Sequence, residues 1–147
     1  MSKAERSARA TWKGNLLEGA GEIVSTGSGA ISALPISWKA RTQGSQGMTN
    51  PEELLAAAHA ACYCMAVSNQ LASAGYVADQ LEVTAVCTFE YGDGARVSAI
   101  HLDLRADVPG IEEQSFAAAA EAARSGCPIS KALSADVEIR LTSHLVA

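Results

Sequence analysis

Residues 50–68 read NPEELLAAAHAACYCMAVS, and this stretch predicts a long helix around which the fold is organised. Asn50 is suited to cap the helix, Pro51 suits its first position, and Glu53 occupies the capping-box position three residues after the cap. Helix-forming residues continue up to Gly75, which is well placed to end the helix. The predicted helix therefore carries one histidine and two cysteines in its middle.

This helix is apolar around nearly its whole circumference, because few polar side chains follow its first turn. A helix of this kind is buried, either within its own domain or against a second subunit. One small sheet covers only one side of a helix. The pattern is therefore a first indication of an oligomer. The polar residues are His59, Ser68, Asn69, Gln70 and Ser73.

Short strands are predicted on both sides of the long helix. Before it, residues 8–47 are rich in Gly, Ser and Thr and contain apolar runs at 22–24 and 36–38, which predict two or three strands. After it, apolar and polar residues alternate at 81–91 and again at 100–105, across a Gly-Asp-Gly turn. This second pattern predicts a β-hairpin.

The rest of the chain predicts a second, alanine-rich helix at 112–124, a short helical turn after Pro128 and a last strand at 137–141. Because the strands cluster in hairpins instead of alternating regularly with helices, the predicted class is α+β. A length of 147 residues lies within the usual range of one domain. We therefore expect a single domain over residues 1–147.

The composition disfavours several classes of partner. A formal net charge of −5 argues against nucleic acid and anionic membranes, because phosphate binding requires clustered Lys and Arg. No apolar stretch approaches the roughly 20 residues that span a bilayer, and the polar N-terminus lacks the apolar segment of a signal peptide. We therefore expect a cytoplasmic protein, in which four cysteines are more often free, metal-bound or catalytic than structurally bridged.

The four thiols differ in what their positions predict. Cys87 lies on the apolar face of a predicted strand and is expected to pack as a small hydrophobic residue. Cys64 lies two positions from Cys62, about 200° around the helix, so these thiols point in nearly opposite directions and are not expected to pair. Other interpretations remain open for Cys62 and Cys127.

A zinc site is one of these interpretations, with His59, Cys62, Cys64 and Cys127 as its ligands. His59 and Cys62 share a helix face, but Cys64 points away from them. The chain also has no CxxC pair, which most structural zinc sites contain. These features disfavour zinc.

A reactive Cys62 is the other interpretation, and it requires a nearby cation. Burial in the middle of a helix raises the pKa of a thiol, and the helix dipole fades beyond the first turn. Arg41 precedes the long helix, and Glu52 in its first turn could hold the guanidinium through a bidentate pair. The residues alone equally allow an ordinary surface ion pair.

Two motifs resemble those of a known family. TNPEELLAAAHAACYCMAVS, residues 49–68, resembles the signature helix of the OsmC/Ohr family of osmotically inducible and organic hydroperoxide resistance peroxidases, and GCPISKAL, residues 126–133, resembles its second cysteine motif. The resemblance covers essentially the whole chain and is closer to the OsmC branch. It implies an OsmC-like fold, in which antiparallel sheets wrap around long central helices in an intertwined homodimer.

The resemblance also implies a chemistry for the thiols. Cys62 aligns with the peroxidatic cysteine and Cys127 with the resolving cysteine, while Arg41 and Glu52 match the pair that organises the thiolate. The implied enzyme is an antioxidant thiol peroxidase of the oxidative stress response. It reduces organic hydroperoxides, and hydrogen peroxide, through a sulfenic acid and a Cys62–Cys127 disulfide, without metal, flavin or haem.

The implied reductant is an external dithiol, for which the family indicates a lipoylated protein. Cys64 departs from the family pattern, in which this position is often serine. The alternative is a non-enzymatic stress or binding protein whose thiols are structural or bind zinc.

Overall fold

The computed structural model describes residues 1–146, which form two compact units that divide between Pro51 and Glu52. The first unit is a three-stranded antiparallel sheet in the order β1-β2-β3, followed by a short helix α1. Its elements are β1 (Ala8–Lys13), β2 (Ala20–Thr26), β3 (Ser32–Ile36) and α1 (Trp38–Gln43).

The prediction that a strand includes residues 36–38 is wrong for residues 37 and 38. β3 ends at Ile36, and Ser37 is the N-cap of α1. Its hydroxyl accepts a hydrogen bond of 3.0 Å from the backbone N–H of Ala40. A serine in this position satisfies one of the N–H groups that a helix leaves unpaired at its start, so the chain turns into a helix that carries Arg41.

The second unit contains three helices and three strands. Its elements are α2 (Pro51–Ser73), β4 (Gln80–Gly92), β5 (Gly94–Asp107), α3 (Glu113–Gly126), α4 (Pro128–Leu133) and β6 (Glu138–Val146). The predicted helices and the hairpin β4–β5 are confirmed. The α+β class is confirmed as well. No helix among residues 1–146 is both long enough and apolar enough to cross a membrane.

The sheet of the second unit is mixed, with strand order β4-β5-β6. β4 and β5 are antiparallel, as the resemblance implies, whereas β6 runs parallel to β5. Parallel neighbours require a long crossover connection. The segment with α3 and α4 provides it, because it returns the chain to the end of the sheet where β5 began.

The long helix α2 buries one stripe of its surface in the core of the second unit. Tyr63, Val67 and Leu71 pack in one cluster with the inner face of β5 and with Phe116 of α3. The opposite side of α2 is apolar but exposed, and Met65 on it retains 73% of its accessible surface. The helix is thus apolar all round, as expected, but the described residues of its own unit cover only part of it.

The end of α2 is formed as its sequence predicts. Gly75 has a φ of +88°, in the left-handed region that favours glycine. The backbone N–H of Gly75 donates to the carbonyl of Ala72 at 3.0 Å, and that of Tyr76 donates to the carbonyl of Leu71 at 2.9 Å. These two bonds form a Schellman motif, which satisfies carbonyl groups that the helix would otherwise leave unpaired.

Gly75→Ala should lower the free energy of unfolding by about 1 kcal/mol, because a Cβ is strained at this φ. Gly126→Ala is the matched control at the end of α3, where an added Cβ would meet only Gln70 Nε2, at 4.0 Å. The control should leave stability unchanged or raise it by about 0.5 kcal/mol. Urea unfolding at one fixed protein concentration measures both. Equal losses in the two variants would contradict this account of the helix end.

Candidate active site

Two thiols that are far apart in the sequence meet in the second unit. The Sγ atoms of Cys62 on α2 and Cys127 at the start of α4 are 3.1 Å apart, although 65 positions separate the residues. Both are free cysteines. Cys62 is partly exposed, whereas Cys127 is completely buried, with 0% of its surface accessible. The site therefore contains one thiol that solvent reaches and one that it does not.

Cys127 owes its position to a break between two helices. It ends α3, with its N–H donating to the carbonyl of Ala123 at 2.9 Å, and it is also the N-cap of α4. Its backbone is extended, with φ −61° and ψ 126°. Pro128 disfavours a helical conformation in the residue before it. The chain therefore changes direction at this one residue, and the thiol projects from the break toward α2.

The first turn of α4 affects the ionisation of the Cys127 thiol. Burial raises the pKa of this thiol, but hydrogen bonds from the backbone N–H of Ser130, the Cys62 thiol, the Ser130 hydroxyl and the N–H of Ile129 together outweigh it. The pKa of Cys127 is therefore lowered from its ordinary value. Hydrogen bonds to the charged form of a group stabilise that form, so the surroundings of Cys127 favour its thiolate more than water does.

For Cys62, the groups of its own unit together raise the pKa of the thiol. Burial raises the pKa of its thiol most, the backbone N–H of Ile129 lowers it, and the hydrogen bond and negative charge of Cys127 raise it further. The result is a pKa above the ordinary value. Within the second unit, the groups around Cys62 thus favour its neutral form.

A histidine and a serine lie beside the two thiols. His59 Nε2 and Ser130 Oγ are 2.7 Å apart, and both side chains are buried. The sequence analysis named His59 as one of the few polar residues of the helix and as a possible zinc ligand, and it did not single out Ser130. Their positions in the sequence could have identified them. His59 lies one helical turn before Cys62, and Ser130 lies three residues after Cys127. Among residues 1–146, no three His, Cys, Asp or Glu side chains are grouped so that they could hold a metal ion.

The other two cysteines lie away from this pair. The Cys64 thiol is hydrogen-bonded to the backbone of Val83 in β4, and burial raises its pKa. Cys87 packs against the core from β4, and burial and the charge of Glu52 raise its pKa. The prediction that Cys62 and Cys64 point in different directions is confirmed, because one meets α4 and the other meets β4.

Arg41 and Glu52, the other two predicted site residues, lie in different units. Arg41 is in the last turn of α1, with its guanidinium carbon 5.9 Å from the ring centroid of Trp38. It lines an apolar concavity of the first unit together with Trp12, Leu16, Ile36 and Trp38. Glu52 is in the first turn of α2 and is only 7% exposed. The first unit thus supplies a cation in an apolar setting, and the second unit supplies a buried carboxylate.

Comparison with known sequences identifies relatives over most of the chain. A profile of the family described as OsmC-like protein matches residues 44–142. The chain is 37% identical over 135 residues to the peroxiredoxin OsmC of Escherichia coli strain K12, covering 91% of this chain and 93% of the relative. It is 34% identical to the organic hydroperoxide resistance protein-like 2 of Staphylococcus saprophyticus, over 69% of this chain and 75% of that protein.

Solved structures share the fold at lower sequence identity. The OsmC organic hydroperoxide resistance protein of Legionella pneumophila aligns with a TM-score of 0.69 and 24% identity, covering 96% of this chain and 98% of that one. The OsmC-like protein of Mycoplasma pneumoniae aligns with a TM-score of 0.73 at 14% identity, covering 99% and 100%. Because the family profile spans most of the sequence and the Escherichia coli relative matches nearly its full length, the chain belongs to the OsmC-like protein family.

Proposed function

We propose that this thiol-dependent peroxidase reduces organic hydroperoxides, and hydrogen peroxide, through a Cys62 sulfenic acid and a Cys62–Cys127 disulfide. The observation that carries the proposal is the 3.1 Å separation of the two Sγ atoms. At this separation a disulfide closes with only a small movement of the thiols. The names of the relatives, peroxiredoxin OsmC and organic hydroperoxide resistance protein, support the same chemistry.

Exposure supports Cys62 as the thiol that attacks the peroxide. Its side chain is partly accessible, whereas Cys127 has no accessible surface. A peroxide arriving from solvent therefore reaches Cys62 first. The buried thiol is suited to the second step, in which it meets a sulfenic acid that forms beside it.

Arg41 is proposed to supply the positive charge that the Cys62 thiolate requires. The surroundings of Cys62 in the second unit raise its pKa, so a cation from elsewhere must favour the thiolate. A guanidinium remains protonated at every relevant pH, and its N–H groups can also stabilise the charge that develops on the departing oxygen. Glu52 is proposed to orient it through a bidentate pair, since a buried carboxylate is stable only when paired or hydrogen-bonded.

The proposed cycle consumes one hydroperoxide and one dithiol. The Cys62 thiolate attacks the peroxide oxygen, the O–O bond breaks, and the departing oxygen takes a proton and leaves as alcohol or water. The Cys127 thiolate then displaces hydroxide from the sulfenic acid and forms the disulfide. An external dithiol restores both thiols by exchange, and a lipoylated protein is the proposed donor.

An intertwined homodimer is proposed as the working form, with residues 1–147 as one functional domain in the cytoplasm. The exposed side of α2 supports this assembly. Ala58, Ala61, Met65 and Ala72 are exposed there at helical spacing and form a mostly apolar stripe, which Ser68 and Asn69 interrupt. A second copy of the chain would remove this stripe from water, and burial of apolar surface stabilises such contacts.

Cys62→Ser should abolish peroxide reduction, because a serine hydroxyl is not ionised at neutral pH and cannot replace the thiolate. Cys64→Ser is the matched control on the same helix and should keep most of the activity. Steady-state turnover with cumene hydroperoxide and dihydrolipoamide measures both. Near-normal turnover in the Cys62 variant, or an equal loss in the Cys64 variant, would contradict the assignment of the attacking thiol.

Cys127→Ser should complete a first turnover at close to the normal rate and then recycle poorly. Without the second thiol, the Cys62 sulfenic acid persists and is oxidised further by excess peroxide. Mass spectrometry after a peroxide pulse should show a two-oxygen adduct on Cys62 in the variant and a Cys62–Cys127 disulfide in the wild type. A wild-type protein that formed only a Cys62–Cys64 disulfide would refute the proposed cycle.

Arg41→Ala should raise the pKa of Cys62 by about 1 to 3 units, because an opposite charge near a thiolate lowers its pKa by that much. Arg41→Lys should restore only part of the effect, because a lysine cannot make the bidentate contact with Glu52. Thiolate absorbance, titrated against pH in a background with Cys64→Ser, Cys87→Ser and Cys127→Ser, follows Cys62, because the other three thiols are then absent. Lys39→Ala, which changes an exposed cation on the same helix, is the control. An unshifted midpoint in Arg41→Ala would exclude its electrostatic role.

A further inference from the structure

A second buried contact between α2 and α4 lies beside the two thiols. His59 Nε2 of α2 is 2.7 Å from Ser130 Oγ of α4, and the two residues are 0% and 3% exposed. His59 precedes Cys62 by three positions, and Ser130 follows Cys127 by three positions. Residues three apart on a helix share a face. The polar contact and the pair of thiols therefore join the same two segments, about one helical turn apart on each.

The position of α4 depends strongly on its contacts with neighbouring elements. This helix has six residues, Pro128–Leu133, and Ser130 is the only one of them that is buried. Ile129 and Leu133 pack against the core but stay partly exposed. A helix of this length is not stable by itself in water. The residue that attaches α4 to the interior is thus a serine that is hydrogen-bonded to α2.

The unpaired nitrogen of His59 indicates the direction of this hydrogen bond. Nδ1 is buried and has no hydrogen-bond partner among the described residues. Burial lowers the pKa of His59, which favours the neutral ring with a single proton. A proton on Nδ1 would create a buried, unpaired N–H, which proteins avoid more strictly than an unpaired acceptor. The proton therefore lies on Nε2, which donates to Ser130 Oγ.

The disulfide-forming step depends on how closely the two sulfur atoms are held. They are 3.1 Å apart before the reaction, and an S–S bond of about 2.05 Å requires a further approach of about 1 Å. We propose, on the basis of the two-thiol cycle proposed above, that His59 and Ser130 are positioning residues of this step. Their hydrogen bond holds α4 against α2, so Cys127 stays beside Cys62 after Cys62 has been oxidised. Holding two reacting groups close together raises their effective concentration.

The step that this contact favours balances without a further reactant. The Cys127 sulfur attacks the Cys62 sulfur, the S–S bond forms, and the S–O bond of the sulfenic acid breaks. The thiol proton of Cys127 and the departing hydroxide form water. The Cys127 sulfur is oxidised and the Cys62 sulfur is reduced, so both reach the oxidation state of the disulfide. His59 and Ser130 transfer neither protons nor electrons in this step and affect only the approach of the two sulfur atoms.

His59→Leu removes the Nε2 donor, keeps an apolar side chain in the core and leaves Ser130 in place. Disulfide formation should be about five- to tenfold slower, which is the factor that one hydrogen bond typically contributes. His59→Gln places an amide N–H at a similar reach and should recover most of the rate. Ser134→Ala is the matched control on α4, since that hydroxyl is exposed and donates to the carbonyl of Lys131. It should form the disulfide at the wild-type rate.

Ser130→Ala removes the acceptor of the same hydrogen bond and should slow disulfide formation by a similar factor. Ser130→Thr keeps a hydroxyl and should recover most of the rate. The double variant His59→Leu/Ser130→Ala should be no slower than the slower single variant, because both substitutions remove one shared contact. Two independent effects would instead multiply, and that result would contradict the proposal.

The kinetic measurement uses the reduced full-length protein, mixed with one equivalent of cumene hydroperoxide and quenched at intervals. Mass spectrometry follows the Cys62 sulfenic acid, trapped with dimedone, and the Cys62–Cys127 disulfide in the same samples. Sulfenic acid should form at the wild-type rate in every variant. Only its conversion to disulfide should be slower in the variants that lack the hydrogen bond.

Equilibration with a glutathione buffer gives a readout that a general loss of stability does not change. A contact that holds the two thiols together favours the disulfide over the dithiol. Its loss in His59→Leu should therefore raise the reduction potential of the pair by about 20–30 mV, which corresponds to a five- to tenfold change in the equilibrium constant. Destabilisation that is shared by both redox states leaves this potential unchanged.

Thiolate titration separates positioning from an effect on charge. With Cys62, Cys64 and Cys87 replaced by serine, thiolate absorbance follows Cys127 alone. His59→Leu should leave the midpoint of this titration unchanged. A midpoint raised far enough to account for the slower closure would mean that the contact acts on the ionisation of Cys127, and the positioning role would be wrong.

Two further outcomes would overturn this inference while leaving the proposed function intact. One is disulfide formation at the wild-type rate in His59→Leu and Ser130→Ala, and the other is a reduction potential that neither substitution changes. A wild-type protein that forms no Cys62–Cys127 disulfide would instead refute the proposed function. Should His59→Leu fail to fold, the rate and potential of Ser130→Ala and their recovery in Ser130→Thr decide the question.

Discussion

The packing of α2 against α3 is the contact on which the site in the second unit depends. Tyr63 is central to it, because its ring is fully buried in the core and its hydroxyl donates to the backbone carbonyl of Ala120. Tyr63 directly follows Cys62, and the helix that contains Ala120 ends at Cys127. A hydrogen bond and a core contact between the two helices therefore also set the distance between the two sulfur atoms.

The same packing places the thiols in different environments. Cys127 is buried at the start of α4, and Ser130, Ile129 and the Cys62 thiol together lower its pKa. Cys62 lies on α2, where burial and the neighbouring Cys127 raise its pKa. Pairs of titratable groups whose surroundings separate their pKa values are typical of sites that assign different roles to each member. In the proposed chemistry Cys62 attacks the peroxide as a thiolate, so its raised pKa is the reason that the proposal requires the Arg41 cation.

The cost of a buried polar side chain explains why His59 lies beside this pair. A neutral imidazole in an apolar core loses its hydrogen bonds to water and requires a partner in the protein. Ser130 is that partner for Nε2, whereas Nδ1 remains without one among residues 1–146. A leucine would fill the same space without this penalty.

The elements that follow local rules were predictable from the sequence. The start of α2 at Pro51, its end at Gly75 and the hairpin of β4 and β5 depend on residues a few positions apart, and so does the divergence of Cys62 from Cys64. The end of β3 was missed because the capping role of Ser37 competes with an apolar strand pattern. The motifs around Cys62 and Cys127 also carried the family resemblance, so the sequence identified the two thiols before their geometry was known.

Only the tertiary structure decided which distant residues meet. The parallel pairing of β6 with β5, the approach of Cys127 to Cys62 and the contact of His59 with Ser130 join segments far apart in the chain, the last across 71 positions. Local propensity carries no information about such pairs, because it depends on residues that are close in the sequence. A segment has the same helix or strand propensity whichever distant segment packs against it. Their contacts arise when the apolar stripe of α2, the inner face of β5 and one side of α3 are buried together. Packing of the core, rather than the pattern of any one segment, therefore brought the two thiols together and placed His59 against Ser130.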